Sequence, residues 1–187
     1  MAFDDLRDKY DFRVHWHPFL LRPNMPPEGA PKPEAYLKPS PNSALQKAGT
    51  KVGIDFTYKS TRFPNTLLSH ALLDYAKDDV TKQNHVAELL FKKYFTDGDS
   101  LGQETILAIA EKVGLDKSGV TKHIVDPEVV ENVRRKAEQW SARGVSGVPM
   151  FYMNGQRMFS GAQEVEVFKN ALNMAAERFP VQTVSNS

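Results

Sequence analysis

The sequence predicts an α/β fold in which a sheet is interrupted by a long helical segment. Three observations support this prediction. Apolar and polar residues alternate at residues 12–17, apolar residues recur at helical spacing between residues 65 and 143, and residues 148–153 form a mostly apolar run. Alternation is typical of a strand, and a spacing of three or four residues is typical of a helix. The predicted order is helix, strand, helical block, two strands and a final helix.

Composition excludes several classes of function. The chain has 187 residues, with 24 basic against 23 acidic side chains and a net charge of +1. This balance gives no electrostatic argument for a nucleic acid or a membrane surface, and no apolar run is long enough to span a bilayer. There is no cysteine, so these residues cannot form a disulfide, bind zinc through thiolates or supply a thiol nucleophile. We therefore expect no nucleic-acid partner and no membrane partner.

The first residues predict a helix followed by a strand. Phe3, Leu6 and Tyr10 have the spacing of one apolar helix face. The alternation at residues 12–17 then predicts a strand. The charges at residues 4–9 do not fit the apolar core of a signal peptide, so a cytoplasmic location is expected.

A proline-rich connection and a short helix follow. Prolines recur throughout residues 22–41, and because proline fixes φ and lacks an N–H donor, this segment is expected to be an extended surface connection. A helix is predicted from about Ser43 to Val52, with Asn42 or Ser43 as its cap and Gly53 at its end.

Start and stop signals divide the helical block between residues 65 and 143. Gly114 is expected to end one helix, and Asp116 to cap the next. Residues 126–128, Asp-Pro-Glu, predict a further helix start because proline is favoured in the first turn.

After Gly144 the pattern changes to that of a β-hairpin. Residues 148–153 predict a buried strand, and residues 157–159 predict the return strand. Between them, Asn154 and Gly155 both tolerate positive φ, which predicts a tight turn.

The segment at residues 144–163, GVSGVPMFYMNGQRMFSGAQ, resembles the DsbA-like thioredoxin family, and most closely its FrnE-type branch. Residues 14–29, 64–71 and 161–165 also resemble pieces of that family, in the same order. The resemblance runs from residue 1 to about residue 178. It implies a thioredoxin-like sheet interrupted by an all-helical subdomain, with thiol–disulfide oxidoreduction as the usual activity of the family.

The resemblance also implies a division into domains. Residues 1–63 and 144–180 would form a discontinuous thioredoxin-like domain, and residues 64–143 the helical insertion. The thioredoxin-like part would close with an amphipathic helix at residues 164–178. The tail at residues 181–187 is expected to be disordered.

The chain departs from the family pattern at its beginning. The family has a strand and a Cys-x-x-Cys before the first helix, and residues 1–11 contain neither. That first strand is central in the fold, so its absence would open a gap of roughly 10 Å between residues 12–17 and 148–153. Three explanations are open: a natural product that is longer at its N-terminus, which is favoured; a strand donated by another chain or a second copy; or strands that close up. As written, the chain is expected to be redox-inactive.

The resemblance assigns the Val148–Pro149 bond to the cis-proline loop of the family. In the family this loop faces the redox cysteines and offers backbone groups to an extended peptide. It also places the start of the helix after residue 64 near the active-site face. No catalytic residue is predicted, and the predicted substrate-binding residues are Ser146, Gly147, Val148, Pro149, Asn65, Thr66 and His70.

Some of these residues also have a structural interpretation. Asn65 could cap a helix that starts at Thr66, and His70 could be a surface or satisfied core histidine. Ser146 lies in a sequence that superficially resembles a nucleophile elbow, but it precedes a strand instead of following one.

Two further histidines are candidate metal ligands. His15 and His17 share one face of the predicted strand, but no third ligand is near in sequence, so no metal site is predicted.

Three hypotheses for function remain open. The first is a DsbA-like oxidoreductase family member without its redox pair, whose partner is a peptide or thiol substrate. The second is a relative of the kappa-class glutathione transferase and 2-hydroxychromene-2-carboxylate isomerase branch, for which glutathione would be the bound cofactor. The third is a non-catalytic peptide-binding module.

Overall fold

The computed structural model describes residues 4–38 and 43–181. The described residues divide into two compact units. We call residues 4–13 and 140–181 the hairpin unit, and residues 14–139 the helical unit. Each unit is described by itself, and the domain boundaries predicted at residues 63 and 143 stay a prediction.

The helical unit contains most of the helices. A two-residue antiparallel ladder pairs β1 (Ala30–Pro31) with β2 (Arg62–Phe63), and a π-helical segment, Lys92–Asp97, follows the third helix. The helices are α1 Ala44–Lys51, α2 Leu67–Tyr75, α3 Val80–Phe91, α4 Gln103–Val113, α5 Lys117–His123 and α6 Pro127–Ala142, which continues into the hairpin unit.

The core of the helical unit lies between α2, α3, α4 and α5. Each of these helices contributes a fully buried side chain: Leu72, Val86, Ile106 and Val120. Complete burial of such a side chain stabilises the fold by about 1.5–3 kcal/mol. The helical spacing of apolar residues therefore predicted α2, α3 and α4 and the faces that they bury, whereas α5 was predicted from its cap at Asp116.

The predicted helix signals are confirmed. The side chains of Ser43 and Asp116 accept hydrogen bonds from backbone N–H groups in the first turns of α1 and α5. Asp126 accepts one from the N–H of Glu128 at 2.8 Å, next to Pro127 at the start of α6. The alternative cap, Asn42, lies outside the described residues.

The predicted N-terminal helix is shorter than expected. The described residues there form a single 3₁₀ turn, Asp4–Leu6, and the N–H groups of Lys9 and Tyr10 both donate to the Leu6 carbonyl, at 3.0 and 2.9 Å. Phe3 lies outside the described residues. A short isolated helix is marginal in water, which accounts for a single turn in place of a longer helix.

The strand predicted at residues 12–17 is wrong. Side chains at residues 11–17 do alternate between exposed and partly buried, as predicted, but no strand forms. A strand needs a neighbour for its ladder of hydrogen bonds, and among the described residues the strands pair only as β1 with β2 and as the two strands of the hairpin.

A side chain replaces that missing neighbour at Trp16. The Trp16 N–H donates to Gln83 Oε1 at 3.0 Å, and Gln83 Nε2 donates to the Trp16 carbonyl at 3.2 Å. The carboxamide of Gln83, on α3, thus satisfies both backbone groups of Trp16, as one residue of an adjacent strand would. Asn84 adds a bond from the indole, Nε1 to Oδ1, at 2.6 Å.

The hairpin unit has the predicted hairpin and closing helix. Strands β3 (Met150–Met153) and β4 (Gln156–Ser160) are antiparallel, with a bulge at residues 151–152, and α7 spans Val165–Arg178. The turn residues Asn154 and Gly155 have φ of +49° and +79°, as the sequence predicted. The predicted disordered tail, apart from Val181, lies outside the described residues.

Three partly buried aromatic rings pack together in this unit. Phe151 and Phe159 lie opposite each other on the hairpin, with centroids 5.1 Å apart. Each contacts Phe168 of α7 edge-on at 4.9 Å. Aromatic pairs in this geometry are stabilising beyond the area they bury, so they hold α7 on the hairpin.

Asn154 joins the hairpin to the C-terminal end of α7, and its replacement should be destabilising. Its Nδ2 donates to the carbonyls of Ala175 (3.3 Å) and Phe179 (2.9 Å). Asn154→Asp should lower the free energy of unfolding by about 1–2 kcal/mol, because a carboxylate cannot donate and its charge faces the negative end of the helix. Urea unfolding at pH 7 measures this loss.

Asn154→Gly is the matched control, because glycine keeps the positive φ but has no side chain. It should lose only the hydrogen bonds, about 1 kcal/mol. Equal stability of the Asp variant and the wild type would contradict a role for this contact.

Candidate functional site

The loop predicted to bind substrate connects α6 to β3 within the hairpin unit. Its Val148–Pro149 peptide bond is cis. Val145 is buried and anchors the loop, whereas Ser146 and Val148 are exposed. The Pro149 carbonyl accepts a hydrogen bond from Gly161 N–H at 2.8 Å, which fixes the end of the loop to the end of β4.

Val148 has hydrogen-bonding groups available for a ligand. No described residue makes a hydrogen bond to its N–H or its carbonyl, and the residue is 47% exposed. Within the described part of the chain β3 pairs only with β4, so its second edge has no strand partner. Unpaired N–H and C=O groups at a strand edge are a template for an extended peptide.

Asn65 and Thr66 lie at the start of α2 in the helical unit. Asn65 Oδ1 accepts from Leu67 N–H at 3.0 Å, and its Nδ2 donates to the Met25 carbonyl at 2.8 Å. Thr66 occupies the cap position without a side-chain hydrogen bond to the helix. The Asn65 side chain therefore both caps the helix and holds the proline-rich connection, and α2 begins one residue later than predicted.

His70 is neutral at pH 7. Its Nε2 lies 3.2 Å from the Phe19 carbonyl oxygen, which can only accept, so Nε2 carries the proton and Nδ1 does not. Nδ1 is buried and has no hydrogen-bond partner among the described residues. Burial lowers the pKa of His70 to about 4, against the smaller opposite effect of the Phe19 carbonyl.

The predicted binding residues therefore fall into two groups. Residues 146–149 lie together in the hairpin unit, and Asn65, Thr66 and His70 lie at the start of α2 in the helical unit. Each group is described within its own unit. The assignment of both groups to substrate binding stays a prediction.

The helical unit also contains a charged cavity of about 160 Å³. The Asp74 carboxylate in it bonds to Lys136 Nζ at 2.7 Å and Lys77 Nζ at 3.3 Å. Burial alone would raise the pKa of Asp74, but the two lysines hold it below its usual value. Burial, with the charges of His15 and Lys136, lowers the pKa of His17. The lining residues are His15, Trp16, His17, Pro18, His70, Leu73, Asp74, Lys77, Gln83 and Lys136.

The candidate metal ligands His15 and His17 belong to no group of metal ligands within the described part of the chain. Among residues 4–38 and 43–181, no group of three or more histidines and carboxylates is arranged to hold a metal ion. Sequence reasoning missed Asp74 and Lys136, which lie 62 residues apart and match no motif.

A comparison with family models identifies a family for this chain. The model for the DSBA-like thioredoxin domain matches residues 1–173. The uncharacterized protein YwbO of Bacillus subtilis (strain 168) is 26% identical over 176 residues, which cover 92% of this chain and 86% of that protein.

A solved structure is similar in fold. The crystal structure of a probable DsbA oxidoreductase from Streptomyces coelicolor superposes with a TM-score of 0.61 at 25% sequence identity. The match covers 76% of this chain and 62% of that one, so this chain spans less than two thirds of that protein. In the described part of the chain, no helix has both the length and the apolar composition needed to cross a membrane.

Proposed function

Because this chain belongs to the DSBA-like thioredoxin domain family, we propose that it binds the backbone of an extended peptide at Val148 without itself carrying out thiol–disulfide exchange. Family membership and the structural neighbour confirm the fold class that the sequence predicted, a DsbA-like thioredoxin fold with a helical insertion. The attacking group in disulfide exchange is a thiolate, and the sequence contains no cysteine.

The unpaired backbone of Val148, a residue that is 47% exposed, is the observation that carries this proposal. Its N–H and carbonyl have no partner among the described residues, and the β3 edge that follows is also unpaired. Each backbone hydrogen bond contributes about 0.5–1.5 kcal/mol net, so two bonds at Val148 contribute about 1–3 kcal/mol. This is less than the roughly 4 kcal/mol of a millimolar complex, so further contacts along β3 must supply the rest.

Peptide binding is tested by NMR on the full chain labelled with ¹⁵N. Titration with a cysteine-free extended hexapeptide should shift the amide signals of Val148 and Gly147 and leave that of Gly155, at the far end of the hairpin, in place. The same peptide with N-methylated backbone amides is the control, because it cannot complete the ladder. Unmoved Val148 and Gly147 signals at about 5 mM peptide would overturn the proposal.

Glutathione distinguishes the second hypothesis. If backbone recognition is the basis of binding, reduced glutathione and S-methylglutathione should shift Val148 equally. A shift with reduced glutathione alone would instead favour the glutathione-binding branch. Disulfide reduction with dithiothreitol should stay at the buffer rate, and faster turnover would contradict the absence of redox chemistry.

Three finer assignments are part of the same proposal. We place the chain in the FrnE-type branch because of residues 144–163, and a cytoplasmic location is part of the same proposal. The unpaired edge of β3 also suits a strand from another chain or a second copy. Size-exclusion chromatography over a range of concentrations tests the last of these, and a monomer throughout would exclude a second copy.

A further inference from the structure

Two arginines of the hairpin unit flank the turn that follows α6. Arg143 places its guanidinium over the ring of Trp140, 5.1 Å from the ring centroid. Arg157, on β4, has its Nη1 3.8 Å from the position that a Cβ on Gly144 would occupy. Because Gly144 directly follows Arg143, both positive charges lie beside the same turn.

Neither guanidinium is neutralised by a described residue. Among the described residues, the Arg143 guanidinium contacts only Trp140, and the Arg157 side chain makes no ion pair and no hydrogen bond. Both side chains are exposed. Arginine stays charged at any physiological pH, so the turn presents two uncompensated positive charges.

Two aromatic rings lie beside these two arginines. The rings of Trp140 and Tyr152 lie 5.1 Å apart, and Tyr152 pairs directly with Arg157 across the hairpin. A guanidinium held against a ring loses less conformational freedom on binding than a free one. Trp, Tyr and Arg are also the residue types that dominate binding energy at protein interfaces.

We propose that Arg143 and Arg157 bind a carboxylate of the peptide held at Val148, which deepens the proposed function and rests on it. The planar fork of a guanidinium matches a carboxylate through two parallel hydrogen bonds. Gly144 and Val148 are four residues apart, so at most about 14 Å of chain separates them. The carboxylate should therefore lie within about four residues of the peptide residue that pairs with Val148.

The charge distribution favours an acidic peptide over a nucleic acid. Binding to a phosphate backbone uses many lysines and arginines, and here the whole chain has a net charge of only +1. Two arginines beside two aromatic rings suit one carboxylate better than a polyanion. The carboxylate can belong to an aspartate or glutamate side chain or to the C-terminus of the peptide.

The test compares matched peptides and variants on the full chain. An extended hexapeptide with aspartate should bind about 5–10-fold more tightly than the same peptide with asparagine. This advantage should disappear in the double variant Arg143→Gln/Arg157→Gln. It should shrink in the double variant Arg143→Lys/Arg157→Lys, because lysine keeps the positive charge but lacks the planar fork of the guanidinium. Arg178→Gln removes the same charge elsewhere in the hairpin unit and should leave the advantage unchanged.

Peptides with a free or an amidated C-terminus identify the source of the carboxylate. If the preference follows the free C-terminus instead of the aspartate, the arginine pair binds the terminal carboxylate, which also supports the inference. Equal binding of all four peptides by the wild type would overturn it.

Two NMR signals separate this inference from the proposed function. The Val148 amide reports on the loop, and the Nε–H signals of Arg143 and Arg157 report on the carboxylate. If both peptides shift Val148 equally and the arginine signals do not move, the inference fails and the proposed function stands. If the aspartate peptide moves only the arginine signals, the proposed function fails, and the pair binds carboxylates on its own. If no signal moves, both fail.

Discussion

Replacing Gln83 by leucine should lower the free energy of unfolding by about 3 kcal/mol. Gln83 is only 2% exposed, and its carboxamide makes the two bonds to the Trp16 backbone and a third, from Nε2 to the Leu73 carbonyl, at 3.0 Å. Leucine fills similar space but leaves all three backbone groups without their partner. Each lost bond costs about 1 kcal/mol, and more where the group cannot reach water.

Urea unfolding gives the loss in stability, and hydrogen exchange locates it. The Trp16 amide should lose its protection in the Gln83→Leu variant, because its acceptor is gone. Gln139→Leu, the same change at an exposed position of α6, is the control and should alter stability by less than about 0.5 kcal/mol. A Gln83→Leu variant as stable as the control would show that Gln83 does not hold this segment.

The segment around Trp16 also shows where prediction from the sequence ends. Alternation at residues 12–17 correctly gave the side of the chain that is partly buried, because that side follows the pattern of side-chain polarity. It could not give the ladder, since a ladder depends on which neighbour is present. The partner that does bind, Gln83, lies 67 residues away in a helix, and nothing in its local sequence marks it.

Features that depend on neighbours in sequence were predicted well. Asp116 caps α5 through N–H groups two and three residues on, and the turn at Asn154 and Gly155 needs only positive φ at two positions. Such interactions close over a few residues, so the sequence contains all of their determinants. The contacts from Asn154 to α7 are long-range and could not be predicted in the same way.

The residues of the candidate site also differ in whether the sequence alone could predict them. The loop at residues 146–149 was found through its resemblance to a family, and Asp74 with Lys136 was missed because α2 and α6 meet only in three dimensions. Arg157 did have a local signal. A two-residue turn at residues 154–155 pairs residue 152 with residue 157, so the predicted hairpin already placed Arg157 opposite Tyr152.

The second large effect is expected at acidic pH, through His70. Its pKa is about 4 in the folded chain, against 6.5 for a free histidine. Between these values the unfolded chain binds a proton that the folded chain does not, so stability falls as the pH falls. Each pH unit costs about 1.4 kcal/mol, which gives about 3 kcal/mol between pH 6.5 and 4 and no contribution above about pH 7.5.

His70→Gln separates this contribution from the rest. The glutamine Nε2 can still donate to the Phe19 carbonyl, so stability at pH 7.5 should change by less than about 1 kcal/mol, but glutamine does not titrate. The difference in the free energy of unfolding between variant and wild type should therefore grow by about 3 kcal/mol as the pH falls from 6.5 to 4. Urea unfolding at half-unit pH steps measures it.

Other titrating groups do not produce the same difference. The pKa of Asp74 lies below 3.8, so its contribution is lost at lower pH, and in both proteins alike. His17 titrates in both proteins as well. His85→Gln, at an exposed position of α3, is the matched control for the substitution itself. If the His70→Gln curve also runs parallel to the wild type, protonated His70 must be accommodated in the fold, and Nδ1 must find an acceptor that the neutral structure does not provide.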